Sequence, residues 1–112
     1  GGGGGAAPPA SDAALAAHFD NAEVTLNVHL GGGPGGFSGG ELVFEGLAGG
    51  PPCGPLALPH VPGQAYLHLG QHMHRALPVE GGERTNLILW CRSSAHRRLH
   101  GCPMCGRTDQ LV

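Results

Sequence analysis

Residues 23–30 read Glu-Val-Thr-Leu-Asn-Val-His-Leu, and this stretch decides the fold class. Its aliphatic residues occupy every second position (Val24, Leu26, Val28 and Leu30), and polar residues fill the positions between them. Successive side chains of a β-strand point to opposite faces, so the alternation predicts a strand with one aliphatic face and one polar face.

Four further stretches favour strands around this one. They are residues 41–45 (ELVFE), 65–69 (AYLHL), 74–79 (HRALPV) and 85–92 (TNLILWCR). The unbroken Leu-Ile-Leu-Trp run at 87–90 predicts burial of the last strand on both faces. Only residues 11–17 have a helical pattern, with Ser11 or Asp12 as N-cap. The chain is therefore expected to be mostly β, as a sandwich, a jelly roll or a barrel.

Glycine and proline are unevenly distributed along the 112 residues. Most of the 22 Gly and 10 Pro fall in residues 1–10, 31–36 and 46–63, and the rest of the chain has an ordinary content. This distribution predicts a folded domain with long loops. We expect a flexible tail with a short helix over residues 1–17, a domain core over 18–94 and a polar C-terminal tail over 95–112.

Charge and hydropathy disfavour several classes of protein. The formal net charge is −2, with six Arg and no Lys, so no nucleic-acid partner is expected. No apolar run approaches the ~18–20 residues that span a bilayer, so no membrane association is expected. The chain begins with Gly1 and shows no signal-peptide pattern, which predicts a fragment or a processed product. The four Cys are not densely spaced, which favours a reducing, intracellular compartment.

A His-x-Asp pair carries the first chemical signal. His18 and Asp20 point the same way on an extended segment and offer one imidazole nitrogen and one carboxylate oxygen to a shared point. His68, His72 and His74 are candidates for a third ligand. Two His and one carboxylate form the facial triad of non-haem Fe(II) oxygenases, which leaves metal positions open for co-substrate and oxygen. Taken alone, the pair is better explained as a surface contact.

Arg84 adds a possible anion-binding group at the start of the last predicted strand. A guanidinium there can bind a carboxylate through two hydrogen bonds. The simpler alternative is a solvated arginine in a turn.

The ordered set of these motifs resembles a known family. His18-Phe19-Asp20, EVTLNVHL at 23–30, FSGGELVFEG at 37–46, HRALPV at 74–79 and GGERTNLILW at 81–90 resemble the catalytic half of the Fe(II)- and 2-oxoglutarate-dependent dioxygenases. Within that superfamily they resemble the prolyl-4-hydroxylase-like branch, and in particular the proteins described as 2-oxoglutarate and iron-dependent oxygenase domain-containing. The resemblance covers residues 18–94.

The resemblance implies a fold, a site and a reaction. The fold would be a double-stranded β-helix, a jelly-roll variant, incomplete at its N-terminus in this chain. His18, Asp20 and His74 would bind Fe(II), Arg84 would bind the distal carboxylate of 2-oxoglutarate, and Trp90 would wall that pocket. Oxygen would hydroxylate a C–H bond, on a protein or peptide side chain, as 2-oxoglutarate is decarboxylated to succinate. Ascorbate would keep the iron reduced.

The C-terminal Cys102-Pro-Met-Cys105 motif is half of a zinc-binding pattern, and His96 and His100 are close enough in sequence to complete it. Idle thiols and a disulfide or redox pair are the alternatives. The rival function for the whole chain is accordingly a non-catalytic binding module or a small zinc-stabilised domain.

Several other residues are expected to have structural roles only. Gly39 and Gly40 are expected at a bend where a side chain would clash. The others are His29 and His60, as structural or solvent-facing residues, and Cys53 and Cys91, as small apolar fillers.

Overall fold

The computed structural model describes residues 15–109, with the side chain of Leu15 excepted. Within them the chain forms nine strands and one short helix: β1 (Leu15–His18), β2 (Val24–Gly31), β3 (Ser38–Gly39), β4 (Leu42–Leu47), β5 (Leu56–Leu58), β6 (Ala65–Leu69), β7 (His72–Ala76), β8 (Val79–Glu80), β9 (Thr85–Cys91) and α1 (Ser94–His100).

Two antiparallel sheets face each other. One has the strand order β1-β7-β4-β5 and the other the order β6-β2-β9, while β3 and β8 form a separate two-stranded ribbon. Rings from opposite sheets meet between them: the His68 ring in β6 lies 5.0 Å from Phe44 in β4 and 4.8 Å from His74 in β7, centroid to centroid. The chain therefore has the predicted mostly-β, jelly-roll-like fold.

The polar face of β2 is the buried one. Thr25, Asn27 and His29 are buried, whereas Leu30, on the aliphatic face, is 57% exposed. β2 is the central strand of its sheet and pairs with both β6 and β9, so its polar side chains point into the space between the sheets. A buried polar strand face needs partners for its hydrogen-bonding groups, which marks the inter-sheet space as a site rather than an ordinary apolar core.

The prediction that β9 is buried on both faces is wrong. Residues 87–90 are all exposed, with Trp90 at 60%. Within the described residues β9 pairs only with β2, so it is an edge strand of the sheet. Its aliphatic run gives high strand propensity without predicting its position in the sheet.

The predicted strand over 74–79 divides into β7 and β8 around Pro78, which cannot donate a hydrogen bond to a strand ladder.

The predicted helix over 11–17 is wrong where it can be compared, because residues 15–18 form strand β1. Residues 1–14, which include most of the predicted tail, lie outside the described part of the chain. Helix α1 falls in the predicted polar tail and begins at an N-cap, Ser93, whose side chain accepts a hydrogen bond from the His96 N–H. None of the helices in residues 15–109 has the length and hydropathy of a membrane span.

Candidate metal centre

Strand pairing brings His18 and His74 together. β1 and β7 run antiparallel, and their register sets His18 directly opposite His74. Asp20 follows β1 after one residue, and its backbone N–H donates to Gly70 O at 2.7 Å. The turn before β7 thus fixes the carboxylate beside both rings.

The ligand atoms of these three residues converge. His18 Nε2 lies 3.5 Å and His74 Nε2 3.3 Å from Asp20 Oδ1. The two imidazole rings are 4.3 Å apart, edge to face. Within the described residues, these three form the only group of His, Cys, Asp or Glu with three ligand atoms close enough for one ion, all within 4.8 Å of one another.

Hydrogen bonds orient each ligand. His18 Nδ1 lies 2.7 Å from Ala16 O, and His74 Nδ1 lies 2.6 Å from His72 O. A carbonyl oxygen only accepts, so each Nδ1 carries the proton and each Nε2 lone pair faces the space beside Asp20 Oδ1, where a cation can bind. Thr25 Oγ1 donates to Asp20 Oδ2 at 2.7 Å, which leaves Oδ1 turned toward the imidazoles. This is the donor set and orientation that a divalent metal ion of the Fe(II) type requires.

Burial favours the metal-binding form of His74. Desolvation is the largest effect and lowers the pKa of His74, and the neighbouring His18 and His68 act in the same direction. The hydrogen bond to His72 and the charge of Asp20 act in the opposite direction without reversing the shift. The ring is therefore neutral at neutral pH, as a ligand must be.

The other two candidate histidines lie beside this group without entering it. The His68 ring packs 4.8 Å from the His74 ring, and His68 Nδ1 is 2.8 Å from Leu69 O. His72 contributes its carbonyl oxygen to the orientation of His74. The residues alone left three histidines open and the resemblance implied His74; strand pairing sets His74 opposite His18.

Arg84 and Trp90 line the same cavity of about 190 Å³ as the three converging side chains. Arg84 Nη1 donates to Gly40 O at 2.6 Å. Among residues 15–109, no carboxylate forms an ion pair with Arg84. Burial lowers the pKa of Arg84, but a guanidinium stays protonated in proteins, so the cavity holds a partly desolvated positive charge.

Comparisons with known proteins point to the same chemistry. No protein-family model matches the chain. It is 48% identical over 103 residues to the human "2-oxoglutarate and iron-dependent oxygenase domain-containing protein 2", a match that covers 90% of this chain and 28% of the relative. It is 44% identical over 99 residues to the Arabidopsis thaliana "2-oxoglutarate and iron-dependent oxygenase domain-containing protein ICU11", covering 79% of this chain and 23% of the relative.

A solved structure agrees with these relatives. It is titled as an oxidoreductase of the 2OG-Fe(II) oxygenase family from Burkholderia pseudomallei, and the match has a TM-score of 0.57 and 26% identity, over 70% of this chain and 37% of that one. The chain is a homologue of the 2-oxoglutarate and iron-dependent oxygenase domain-containing proteins. It spans less than a third of the length of the relatives named above.

His29 and His60 also line the cavity. His29 is 2% exposed and so is not solvent-facing, but the contacts of both rings are compatible with the structural role expected of them. Their rings stack at 4.3 Å, and His29 Nδ1 accepts from the Val61 N–H at 3.2 Å. Burial, then the charges of His60 and Arg84, lower the pKa of His29. His60 has both ring nitrogens buried without a hydrogen-bond partner among the described residues.

Sequence reasoning also missed three polar residues of the cavity. Thr25 orients Asp20, while the Asn86 side-chain amide donates to Asn27 Oδ1 at 2.6 Å. Thr25 and Asn27 belong to the polar half of the alternation at 23–30, but the alternation does not show which face is buried.

The zinc site predicted for the C-terminus does not form. His96 and His100 pack against each other at 4.4 Å, one turn of α1 apart, but no group of three ligands includes them together with Cys102 and Cys105 in residues 15–109. The rival function as a small zinc-stabilised domain therefore has no structural support.

Thr25→Val tests the orientation of the metal ligands. We expect it to weaken Mn(II) binding by about tenfold, because Asp20 Oδ2 loses its hydrogen bond while the side-chain volume is kept. Calorimetric titration of the metal measures the effect. Thr85→Val, at an exposed position of β9, is the matched control. Equal affinity of the two variants would show that Thr25 does not support the site.

Gly40→Ala tests the packing around Arg84. A Cβ at Gly40 would lie 3.2 Å from Arg84 Nη1, and the φ of +77° is one that side chains rarely adopt. We expect 2-oxoglutarate binding to weaken by about tenfold while metal binding is kept, because the guanidinium is displaced. Gly35→Ala is the control: its φ is +84°, but nothing lies within 4 Å. If both variants lost the same affinity, backbone strain alone would be the cause.

Proposed function

We propose that this chain carries the metal- and co-substrate-binding part of an iron- and 2-oxoglutarate-dependent dioxygenase that hydroxylates a C–H bond. The observation that carries the proposal is the convergence of two imidazole nitrogens and one carboxylate oxygen within 4.8 Å, in the same cavity as a guanidinium that has no carboxylate partner among the described residues. The first group fits Fe(II), and the second fits the far end of a dicarboxylate.

The three ligands divide their tasks in this proposal. His18 and His74 bind Fe(II) through Nε2, and Asp20 binds it through Oδ1. The negative charge of the Asp20 carboxylate balances one of the two positive charges of the ion. The Nδ1–H groups stay hydrogen-bonded to carbonyl oxygens, so the rings do not rotate when the metal binds. Three protein ligands leave coordination positions open for exchangeable groups. When bound, the iron supplies the redox chemistry by which one oxygen atom enters the substrate and the other enters succinate, with release of carbon dioxide.

Arg84 orients the co-substrate. Its fixed position against Gly40 O lets it bind the distal carboxylate of 2-oxoglutarate, so that the keto acid end is directed toward the metal ligands. A cavity of about 190 Å³ suits a small dicarboxylate better than a large cofactor. Trp90 forms part of the wall. Its 60% exposure places it at the mouth, where a substrate would pass.

A protein or peptide side chain as substrate, and ascorbate as reductant, complete the proposal. Both rest on the resemblance of residues 18–94 to the prolyl-4-hydroxylase-like branch. An open mouth at an edge strand is compatible with a macromolecular substrate, because only one side chain needs to reach the cavity.

Succinate formation tests the proposal. The chain is incubated with Fe(II), 2-oxoglutarate, ascorbate and oxygen without a substrate, and succinate is quantified. We expect slow, iron-dependent succinate formation that Asp20→Ala abolishes. Calorimetry under nitrogen with Mn(II) provides the second readout: 2-oxoglutarate should bind only after the metal. The proposal would be overturned if the affinity for 2-oxoglutarate were the same with and without the metal, and the same with and without the Arg84 side chain.

A further inference from the structure

The Cys-x2-Cys motif lies directly after α1, and the proposed oxygenase function does not use it. Cys102 is buried, with 6% exposure, and Cys105 is exposed. Neither is in a disulfide. The surroundings of the two sulfur atoms indicate what the pair does.

Hydrogen-bond donors surround Cys102 Sγ. The Met104 N–H donates to it at 3.4 Å, and Arg97 Nη1 approaches it at 3.6 Å. Hydrogen bonds from the Cys105 backbone N–H and side chain also reach the Cys102 thiol. The hydrogen bond from Met104, those from Cys105 and the charge of Arg97 together lower the pKa of the Cys102 thiol. Such an environment favours the thiolate, which is the nucleophilic form of cysteine.

Arg97 is held rigidly beside this sulfur. It is 1% exposed, Nε donates to Glu23 Oε1 at 2.7 Å, and Nη2 donates to Asn21 Oδ1 at 3.0 Å. A fixed guanidinium stabilises a thiolate anion but repels a divalent cation at the same atom. The arrangement therefore favours redox chemistry of the pair over a metal site.

We propose that Cys102 and Cys105 form a reversible dithiol–disulfide couple, oxidised by exchange with a low-molecular-weight disulfide of the glutathione type. The exposed Cys105 sulfur attacks one sulfur of glutathione disulfide, so that a mixed disulfide forms, and the leaving glutathione thiolate takes up the proton of the Cys105 thiol. The Cys102 thiolate then attacks the Cys105 sulfur, forms the intramolecular S–S bond and releases the second glutathione. The protons of the two protein thiols end on two glutathione thiols, and the protein loses two electrons.

The couple is independent of the iron-site proposal, because it uses no ligand of that site. It nevertheless lies near the Asp20 loop in the folded structure. Arg97, which contacts Cys102 Sγ, also binds Asn21, the residue after Asp20.

Equilibration in glutathione buffers tests the couple. The full chain with Cys53→Ser and Cys91→Ser, both exposed positions, is incubated at a series of reduced-to-oxidised glutathione ratios, and the remaining thiols are alkylated after acid quenching. Intact mass then distinguishes dithiol, mixed disulfide and intramolecular disulfide. Peptide mapping of the unsubstituted chain gives the same information without the background substitutions.

We expect the chain to pass from mostly dithiol to mostly intramolecular disulfide along the series and to return on addition of dithiothreitol. With Cys102→Ser, the mixed disulfide at Cys105 should accumulate instead, because no thiolate resolves it. The proposal is overturned if the pair stays a dithiol throughout, or if the mixed disulfide persists with Cys102 intact. Stoichiometric Zn²⁺ binding that requires both cysteines would equally overturn it, in favour of a metal site.

Discussion

Asp20→Ala should weaken the binding of Mn(II) or Fe(II) by at least about 100-fold. Asp20 supplies the one negative charge among the three converging ligands, and its Oδ1 lies within 3.5 Å of both Nε2 atoms. Without it, only two imidazoles remain, which bind such ions weakly. Calorimetric titration of the metal under nitrogen gives the affinity.

Two further variants make this result specific. Asp20→Asn keeps the size of the side chain and removes the charge, so a similar loss would assign the effect to the carboxylate and not to a cavity. Asp109→Ala removes an exposed carboxylate that pairs with Arg107, and should leave metal binding unchanged. Unchanged affinity in both Asp20 variants would show that the metal binds elsewhere.

Arg84→Met should weaken the metal-dependent binding of 2-oxoglutarate by about 100-fold, because the distal carboxylate loses two charge-assisted hydrogen bonds in a partly desolvated cavity. Metal affinity should stay the same, since Arg84 touches none of the ligands. A weaker affinity for 2-oxoglutarate with an unchanged affinity for the metal would show that Arg84 binds the co-substrate, whereas loss of the fold would weaken both.

Arg84→Lys and Arg75→Met serve as controls for that prediction. Lysine keeps the charge but not the planar fork, so it should recover only part of the affinity. Arg75 pairs with Glu45 at a half-exposed position and should be replaceable without effect. If Arg75→Met and Arg84→Met bound 2-oxoglutarate equally well, Arg84 would not be the anchor.

The strands were predictable where local pattern and tertiary structure agree. The β6 prediction matches Ala65–Leu69, and the prediction for β2 differs by one residue at each end. β1 was missed because Leu-Ala-Ala-His has helical propensity, and only its pairing with β7 makes it a strand. Period-two alternation is symmetric, so it could not show that the polar face of β2 is the buried one.

The candidate site was predictable in composition and only partly in geometry. His18, Asp20 and Arg84 were identified as chemistry-bearing residues, and the structure places them around one cavity. The choice among His68, His72 and His74 depends on the register of β1 against β7, which one sequence cannot give. The zinc prediction failed for a related reason: spacing along the chain does not ensure that four side chains converge.

The prolyl-4-hydroxylase-like branch, the protein substrate and the role of ascorbate remain predictions. The relatives and the solved structure support the broader assignment to 2-oxoglutarate and iron-dependent oxygenases. Residues of the cavity that the proposed chemistry does not use, such as His60 with its two buried ring nitrogens, are where further contacts to co-substrate or substrate should be sought first.

Anomalous diffraction from a crystal of the chain grown with Mn(II) tests the metal centre most directly. The account predicts one strong anomalous peak within bonding distance of His18 Nε2, His74 Nε2 and an oxygen of Asp20, and the loss of that peak in Asp20→Ala. A peak at Cys102 and Cys105, or an ordered His18–Asp20–His74 group with no peak beside it, would contradict the account.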